Sequence, residues 1–243
     1  MRVFLKIEYD GTNYCGWQIQ PNGITVQEVL EKAISTLTGE DVSVTGSGRT
    51  DSGVHAEGQV AHFDTSSSIP AEKFTHALNG ILPSDVKIRE SYQVCDNLHA
   101  RFSAKRKTYS YRVYTSEQPR PLKDRYFARV GYKLDVDKMN EASQKFVGKH
   151  DFGCFLASGS AVKDTVREIY SAEVKSFGDE VIFTVCGNGF LYNMVRIMMG
   201  TLVKVGIGKL SPEDIPSLLK SGNRTNAGVT MPPNGLTLVS VEY

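Results

Sequence analysis

Long apolar runs are missing from this chain. No stretch of its 243 residues approaches the run of about 18 or more apolar residues that a membrane-spanning helix requires. Residues 1–6 are charged from the second position onward and contain no apolar segment typical of a secretory signal peptide. Apolar residues make up 40% of the chain and charged residues 23%, as in ordinary globular proteins. We therefore expect a cytoplasmic protein with no membrane partner.

Paired metal ligands and nucleotide-binding loops are also missing. The cysteines lie far apart without a C-x-x-C pair, which indicates reduced thiols and neither a disulfide framework nor a zinc site. The histidines lack the spacing of metal ligands, so we do not interpret them as a metal site. Neither a Walker loop nor a Rossmann glycine fingerprint is present. We expect no metal and no cofactor.

The most distinctive stretch is residues 46–56, which read GSGRTDSGVHA and lie between two β-like runs. Glycine at this density favours a loop that approaches another group closely. Asp51 lies at its centre, beside Arg49 and the hydroxyls of Thr50 and Ser52. A carboxylate in these surroundings stays ionised at neutral pH, which suits a nucleophile. The alternative is a structural turn in which Asp51 caps its own loop.

The net charge of +1 conceals a strongly basic segment. Residues 101–129 contain nine cationic and two anionic side chains, an excess of seven positive charges, so the rest of the chain is net negative. Aromatic residues alternate with these cations, and such a mixture can bind phosphates and stack on unpaired bases. Tyr109 adds a flat face for a pyrimidine and a hydroxyl for acid–base chemistry. The alternatives are a solvated basic face and a tyrosine packed in a sheet.

The order of predicted elements indicates an α+β fold with antiparallel hairpins in both halves. Strands are predicted at 3–9, 86–94, 107–115, 166–177, 180–186 and 237–242, and helices at 26–38, 71–82, 135–147, 192–205 and from 211 onward. Thr25 and Glu28 predict a capping box at the first helix, which Gly39 should end. The predicted boundary separates a subdomain of residues 1–104, with the Asp51 loop, from residues 105–243.

Arg196 lies on the apolar predicted helix 192–205, on one face with Tyr192 and Met199. A buried charge without a partner is costly, so Arg196 should have an anionic partner. Asp51 is the conspicuous candidate. The alternative is that the arginine extends to the surface along its aliphatic stem.

Several blocks of this sequence resemble the TruA-type tRNA pseudouridine synthases. The blocks are Tyr9-Asp10-Gly11-Thr12, Gly16-Trp17-Gln18, Thr25-Val26-Gln27, Gly48-Arg49-Thr50-Asp51-Ser52-Gly53-Val54-His55-Ala56, His99-Ala100-Arg101-Phe102-Ser103-Ala104, Lys107-Thr108-Tyr109-Ser110-Tyr111, Phe190-Leu191-Tyr192-Asn193-Met194-Val195-Arg196 and Pro233-Asn234-Gly235-Leu236. They follow the order of the family and span nearly the whole chain. The positions that carry the activity show no departure from the family pattern.

The resemblance implies isomerisation of uridine to pseudouridine at positions 38, 39 and 40 in the anticodon stem-loop of tRNA. Asp51 would be the nucleophile, Arg49 would help displace the target base, and Tyr109 would stack on the uracil and serve in proton transfer. Arg196 would pair with Asp51 and orient it, while Leu236 would line the uracil pocket. The family fold has two related halves, each a mixed, mainly antiparallel sheet flanked by helices, around a central RNA-binding cleft. It works as a homodimer without metal or cofactor.

Phosphate binding is expected from the basic segment, with Arg101, Lys105 and Lys107 as substrate-binding residues. A base inside a stem must first be extruded. Asp51 could then attack C1′, attack C6 or remove a sugar proton, and these alternatives stay open here. Two other functions also stay open: a non-catalytic RNA-binding module, and a metal-dependent phosphodiesterase, for which the loop supplies only Glu57 as a further carboxylate.

Overall fold

The chain folds into strands and helices in mixed order, and the computed structural model describes residues 1–160 and 162–243. The strands in chain order are β1 (Arg2–Tyr9), β2 (Thr45–Gly46), β3 (His55–Asp64), β4 (Val86–Val94), β5 (Arg106–Thr115), β6 (Ala128–Val130), β7 (Gly148–Asp151), β8 (Val166–Phe177), β9 (Glu180–Gly187) and β10 (Leu236–Glu242). The α-helices are α1 (Val26–Thr38), α2 (Phe74–Asn79), α3 (Val136–Gln144), α4 (Met194–Gly206) and α5 (Asp214–Ser221). Short 3-10 helices lie at Gly11–Asn13, Ala71–Lys73, Gly153–Phe155, Arg224–Asn226 and Pro233–Gly235. The predicted α+β class is confirmed.

Two compact units make up the chain. The first comprises Met1–Lys105 and Leu238–Tyr243, and the second comprises Arg106–Thr237. The boundary between them lies one residue after the one that the sequence predicts. The last six residues belong to the first unit because β10 lies beside β3.

The first unit is an antiparallel sheet in which β1 lies between β3 and β4. The helix α2 packs against α1 and β4. Val26, Leu30 and Ile34 of α1 are fully buried, at the spacing that places them on one face. As predicted, the Thr25 side chain accepts from the Glu28 backbone N–H at 3.3 Å, and Gly39 ends the helix with a φ of 74°.

The second unit is a sheet in the order β5-β9-β8-β7, with antiparallel neighbours and β6 added in parallel to β5. The helix α3 packs against β8 and α4, and α4 also contacts β5. The predicted β8–β9 hairpin is present, and its turn contains Gly178 with a φ of 65°. In the described residues, no helix is long and apolar enough to cross a membrane.

Several predicted helices are shorter than expected. The predicted helix 71–82 consists of a 3-10 turn followed by α2, which ends at Asn79. The predicted helix 192–205 begins only at Met194, because Asn193 adopts a left-handed backbone with a φ of 60°. The proposed common face of Tyr192 and Arg196 is therefore wrong, since Tyr192 lies before the helix.

Candidate active site

The loop between β2 and β3 carries Asp51, and its first residues are fixed by a buried amide. The Gln59 side chain accepts a hydrogen bond from the Ser47 hydroxyl at 2.6 Å. The same amide donates to the carbonyl of Gly48 at 3.0 Å. Both Gln59 and Ser47 are completely buried. One side chain of β3 thus holds the beginning of the loop.

The last residue of β1 and the segment that follows it hold the other half of the loop. The hydroxyl of Tyr9 is hydrogen-bonded to Oγ1 of Thr50 at 2.7 Å. The backbone N–H of Trp17 donates to the Thr50 carbonyl at 3.1 Å, and that of Gly53 donates to the Tyr14 carbonyl at 3.3 Å. The loop is therefore attached on both sides of its central carboxylate.

Gly16 permits the close approach of this segment to the loop. Its φ is +81°, which side chains rarely adopt, and a Cβ atom built on it would lie 2.5 Å from the Thr50 carbonyl oxygen. The backbone can reach the loop only if this position is glycine.

Asp51 itself is half-buried, whereas Arg49 is exposed. The backbone N–H of Val54 donates to the Asp51 backbone carbonyl at 3.1 Å, so main-chain groups close the turn after the aspartate. Burial raises the pKa of the neighbouring Tyr9 well above its usual value, which keeps its hydroxyl protonated. Asp51 is thus a partly accessible carboxylate on a fixed loop, as a catalytic nucleophile requires.

In the second unit, Arg196 lies in the first turn of α4, and its guanidinium donates hydrogen bonds within that unit. Its Nε donates to the backbone carbonyl of Met231 at 2.7 Å, and its Nη1 donates to the side-chain Oδ1 of Asn193 at 2.5 Å. Asn193 is the one non-glycine residue with positive φ in the described part of the chain. Strained backbone of this kind concentrates at functional sites.

The segment that leads to Leu236 contacts the same part of the second unit. The Tyr111 hydroxyl donates to the carbonyl of Pro232, which follows the Met231 that binds Arg196. Burial raises the pKa of Tyr111, and the positive charge of Arg196 partly opposes this. Leu236 then begins β10 and is almost completely buried. Two of the predicted site residues, Arg196 and Leu236, are thus linked, because Arg196 binds the segment that leads to Leu236.

Tyr109 lies on β5 opposite Val185 of β9. Its ring is only 9% exposed and meets the ring of Phe190 edge to face, with centroids 5.0 Å apart. The packing fixes the plane of the ring. Tyr109 shares a strand face with Tyr111, two residues away, so it lies on the side of β5 from which Tyr111 reaches Pro232. Lys107, at the start of the strand, is half-buried.

Not all aromatic rings of the basic segment are accessible, contrary to the sequence prediction. Tyr111 and Tyr114 are completely buried, so the prediction that such rings stack on bases is wrong for these two. Lys123 binds Asp179 at 3.0 Å and Glu180 at 2.7 Å, which reduces the positive charge there. Arg101 and Lys105 are exposed, as their predicted RNA-binding role requires.

Two histidines of the first unit accept hydrogen bonds from backbone N–H groups. Nδ1 of His55 accepts from the N–H of Gly11 at 3.0 Å, and Nδ1 of His62 accepts from that of Ala100 at 3.2 Å. Across residues 1–160 and 162–243, no group of three or more histidine, cysteine, aspartate or glutamate side chains could hold a metal ion.

The sequence predicted no role for three residues that support the candidate site: Tyr9, Gln59 and Asn193. Tyr9 and Asn193 lie in recognisable blocks, but their contacts to Thr50 and Arg196 depend on the fold. A signal for Asn193 did exist, since asparagine is the residue that most readily replaces glycine in a left-handed backbone.

Known proteins resemble this chain over most or all of its length. A family model described as tRNA pseudouridine synthase matches residues 6–103 and 142–243. A tRNA pseudouridine synthase A from Ruminiclostridium cellulolyticum is 52% identical over 243 residues, covering 100% of this chain and 99% of the relative. Another from Thermoanaerobacter sp. is 46% identical over 241 residues, covering 99% of each chain. Among solved structures, a chain of a Cbf5-Nop10-Gar1 complex aligns with a TM-score of 0.41 and 16% identity, over 97% of this chain and 48% of that chain.

The family match covers most of the chain, and the two relatives extend over nearly its full length. The activity that follows is that of an isomerase acting on tRNA. The chain belongs to the TruA-type tRNA pseudouridine synthases.

Proposed function

We propose that this isomerase converts uridine to pseudouridine at positions 38, 39 and 40 of the anticodon stem-loop, with Asp51 as its nucleophile. The observation that carries the assignment is the half-buried Asp51 on a fixed loop. Gln59 holds the loop at Gly48, before the aspartate, and Tyr9 holds the adjacent Thr50. A fixed carboxylate meets a developing positive charge without first having to be reoriented. The tRNA positions follow from the family resemblance of the sequence blocks.

The chemistry is an exchange of one bond within the nucleotide. The C1′–N1 bond breaks and its electron pair leaves with the uracil, so C1′ becomes electron-poor. The carboxylate of Asp51 traps or stabilises that carbon while the uracil turns. A C1′–C5 bond then forms, C5 loses a proton and N1 gains one. Atoms and electrons balance without an oxidant or a reductant.

Residues of the second unit would bind the uracil and position the groups that react with it. Tyr109 offers a ring held in a fixed plane by Phe190, which suits stacking and proton transfer. Leu236 would line the apolar pocket, and Arg196 would orient the catalytic carboxylate. The contacts of Arg196 with Asn193 and Met231 hold its guanidinium in place, as such a role requires.

RNA binding would depend on exposed cations. Arg49 would hold the place of the extruded base, and Arg101, Lys105 and Lys107 would contact phosphates. A homodimer and a cytoplasmic location complete the proposal, both on the resemblance to the family.

The assignment of positions can be tested with tRNA transcripts labelled with tritium at uridine C5. We expect tritium release from a transcript with uridine at positions 38 to 40, in the presence of a chelator. Replacing these uridines by cytidine, with compensating changes in the opposite strand, should abolish release. Undiminished release from the replaced transcript would refute the assignment to these positions.

A further inference from the structure

Residues 99–103 form a closed turn on the surface of the first unit. Nδ1 of His99 accepts from the backbone N–H groups of Arg101 at 3.1 Å and Phe102 at 3.3 Å. The N–H of Ser103 donates to the His99 carbonyl at 2.9 Å, and the N–H of His99 donates to the Ser103 hydroxyl at 3.0 Å. These four bonds fix the backbone of an exposed turn.

The turn is anchored to the core through Ala100. This residue is completely buried and packs in a cluster with Phe4 and Val60. Its N–H donates to His62, and its carbonyl accepts from the Tyr243 hydroxyl at 2.7 Å. Both backbone groups of Ala100 are bound by side chains of the first unit, so the turn keeps its position.

Phe102 nevertheless projects into solvent and is 77% exposed. Its ring packs on that of His99, with centroids 4.4 Å apart and an interplanar angle of 30°. His99 in turn meets His62 edge to face at 4.8 Å. The phenylalanine thus extends a column of rings outward from the core.

The charge around this ring favours an anionic partner. The Arg101 guanidinium lies 5.6 Å from the centroid of the Phe102 ring, and Lys105 is exposed three residues further on. Between residues 97 and 116 the sequence contains five cations and no aspartate or glutamate. An exposed aromatic ring among cations is the arrangement that binds single-stranded nucleic acid, where bases stack and phosphates pair.

We propose that Phe102 is an RNA-positioning residue that stacks on an unpaired nucleobase of the tRNA, while Arg101 and Lys105 contact the adjacent phosphates. The proposal rests on the proposed function only in that the protein binds tRNA, and it does not depend on the role of Asp51. Because the turn is already fixed, stacking costs little conformational entropy.

The test compares Phe102→Leu and Phe102→Tyr with the matched variant Phe177→Leu, an exposed phenylalanine beside Gly178 and Asp179. We expect Phe102→Leu to raise the KM for tRNA about tenfold with little change in kcat. Phe102→Tyr keeps an aromatic ring and should have the KM of the wild type. Phe177→Leu should behave as wild type. Binding of Phe102→Leu should retain the salt dependence of the wild type, whereas Lys105→Gln should reduce its slope by about one.

A second measurement needs no turnover. Tryptophan fluorescence of Phe102→Trp should be quenched when tRNA is added by more than the Trp17 signal of the wild type, whereas Phe177→Trp should show only the change of Trp17. Equal KM values for Phe102→Leu and wild type, or unquenched Phe102→Trp with tRNA bound, would overturn the proposal. Loss of the oligomeric state of Phe102→Leu in sedimentation without RNA would overturn it in favour of a protein interface. If Asp51 is not the nucleophile, tRNA should still bind and still quench the fluorescence of Phe102→Trp, so the two proposals can fail separately.

Discussion

The Tyr9 hydroxyl lies 2.7 Å from Oγ1 of Thr50, the residue immediately before Asp51. Tyr9 ends β1, so this hydrogen bond connects the central strand of the first unit to the loop that carries the Asp51 carboxylate. The position of Asp51 thus depends on contacts that do not themselves involve the substrate.

Removing that hydroxyl should slow catalysis without weakening RNA binding. In Tyr9→Phe the Thr50 hydroxyl loses its buried partner, which costs about 1 kcal/mol of stability. We expect kcat for tritium release to fall about tenfold, because the loop is less well held, with KM unchanged. Tyr132→Phe, which alters an exposed tyrosine, is the control. A Tyr9→Phe enzyme with wild-type kcat would show that the bond has no catalytic role.

Gly16 and Gly39 provide a matched pair of positions with positive φ. Gly16 has a φ of +81° and the Thr50 carbonyl 2.5 Å from a built Cβ, whereas Gly39 has a φ of +74° and nothing within 4 Å. Alanine at Gly39 should lower the free energy of unfolding by about 1 kcal/mol through backbone strain, and alanine at Gly16 should lower it by more, because its Cβ also meets the Thr50 carbonyl. Only Gly16→Ala should also lose activity, by about a hundredfold, because the Asp51 loop must shift.

Urea unfolding and single-turnover tritium release measure the two effects separately. Equal activities for Gly16→Ala and Gly39→Ala would show that the loop tolerates displacement.

Asn193 can be tested for its proposed role as the positioning residue of Arg196. Both Asn193→Gly and Asn193→Ala remove the oxygen that accepts from Arg196 Nη1, so we expect kcat to fall about tenfold in each. Only alanine is strained at a φ of 60°, so Asn193→Ala should be about 1 kcal/mol less stable than Asn193→Gly. Full activity of Asn193→Gly, measured by kcat and by urea unfolding in parallel, would remove Asn193 from the site.

Stability should decrease on mild acidification because of His62. Burial, and then the charges of Arg2 and His99, lower the pKa of His62 from 6.5 to about 4. The unfolded chain therefore binds more protons between these two values, so stability is present above pH 6.5 and is lost as the pH falls toward 4. From pH 7 to pH 5 we expect a loss of about 2 kcal/mol.

The comparison variant is His62→Asn, whose side-chain oxygen can still accept from the Ala100 N–H. Its stability should change less with pH over this interval. The lowered pKa values of Asp64 and Glu40 affect stability only at lower pH, since these carboxylates stay ionised above their usual range. Parallel pH profiles for wild type and His62→Asn would contradict the explanation.

Local patterns in the sequence predicted much of the fold. The Thr25 cap and the Gly39 end of α1, and the β8–β9 hairpin around Gly178, are encoded within a few residues of each element. The end of the predicted helix at Asn193 was missed, because periodicity does not reveal a single residue with positive φ.

The candidate site residues were chosen from the sequence, whereas the contacts that support them are visible only in the structure. Sequence blocks identified the Asp51 loop, whereas the bond from Tyr9 joins residues 41 positions apart. The sequence also could not distinguish accessible from buried aromatic rings. Tyr111 and Tyr114 are buried by tertiary packing, in which Tyr111 reaches Pro232, 121 positions away, and Tyr114 reaches Asp124, while Phe102 lies on a surface turn.

The role of Asp51 is tested most directly by Asp51→Asn, which preserves the shape of the side chain and removes its charge. Asp41→Asn, in an exposed aspartate of the same unit, is the matched control. With tRNA labelled by tritium at uridine C5, we predict that Asp51→Asn lowers the rate of release at least about a thousandfold. Its affinity for tRNA should stay within about threefold of wild type, since phosphate contacts dominate binding. Release by Asp51→Asn at the rate of Asp41→Asn would contradict the assignment of Asp51 as the nucleophile.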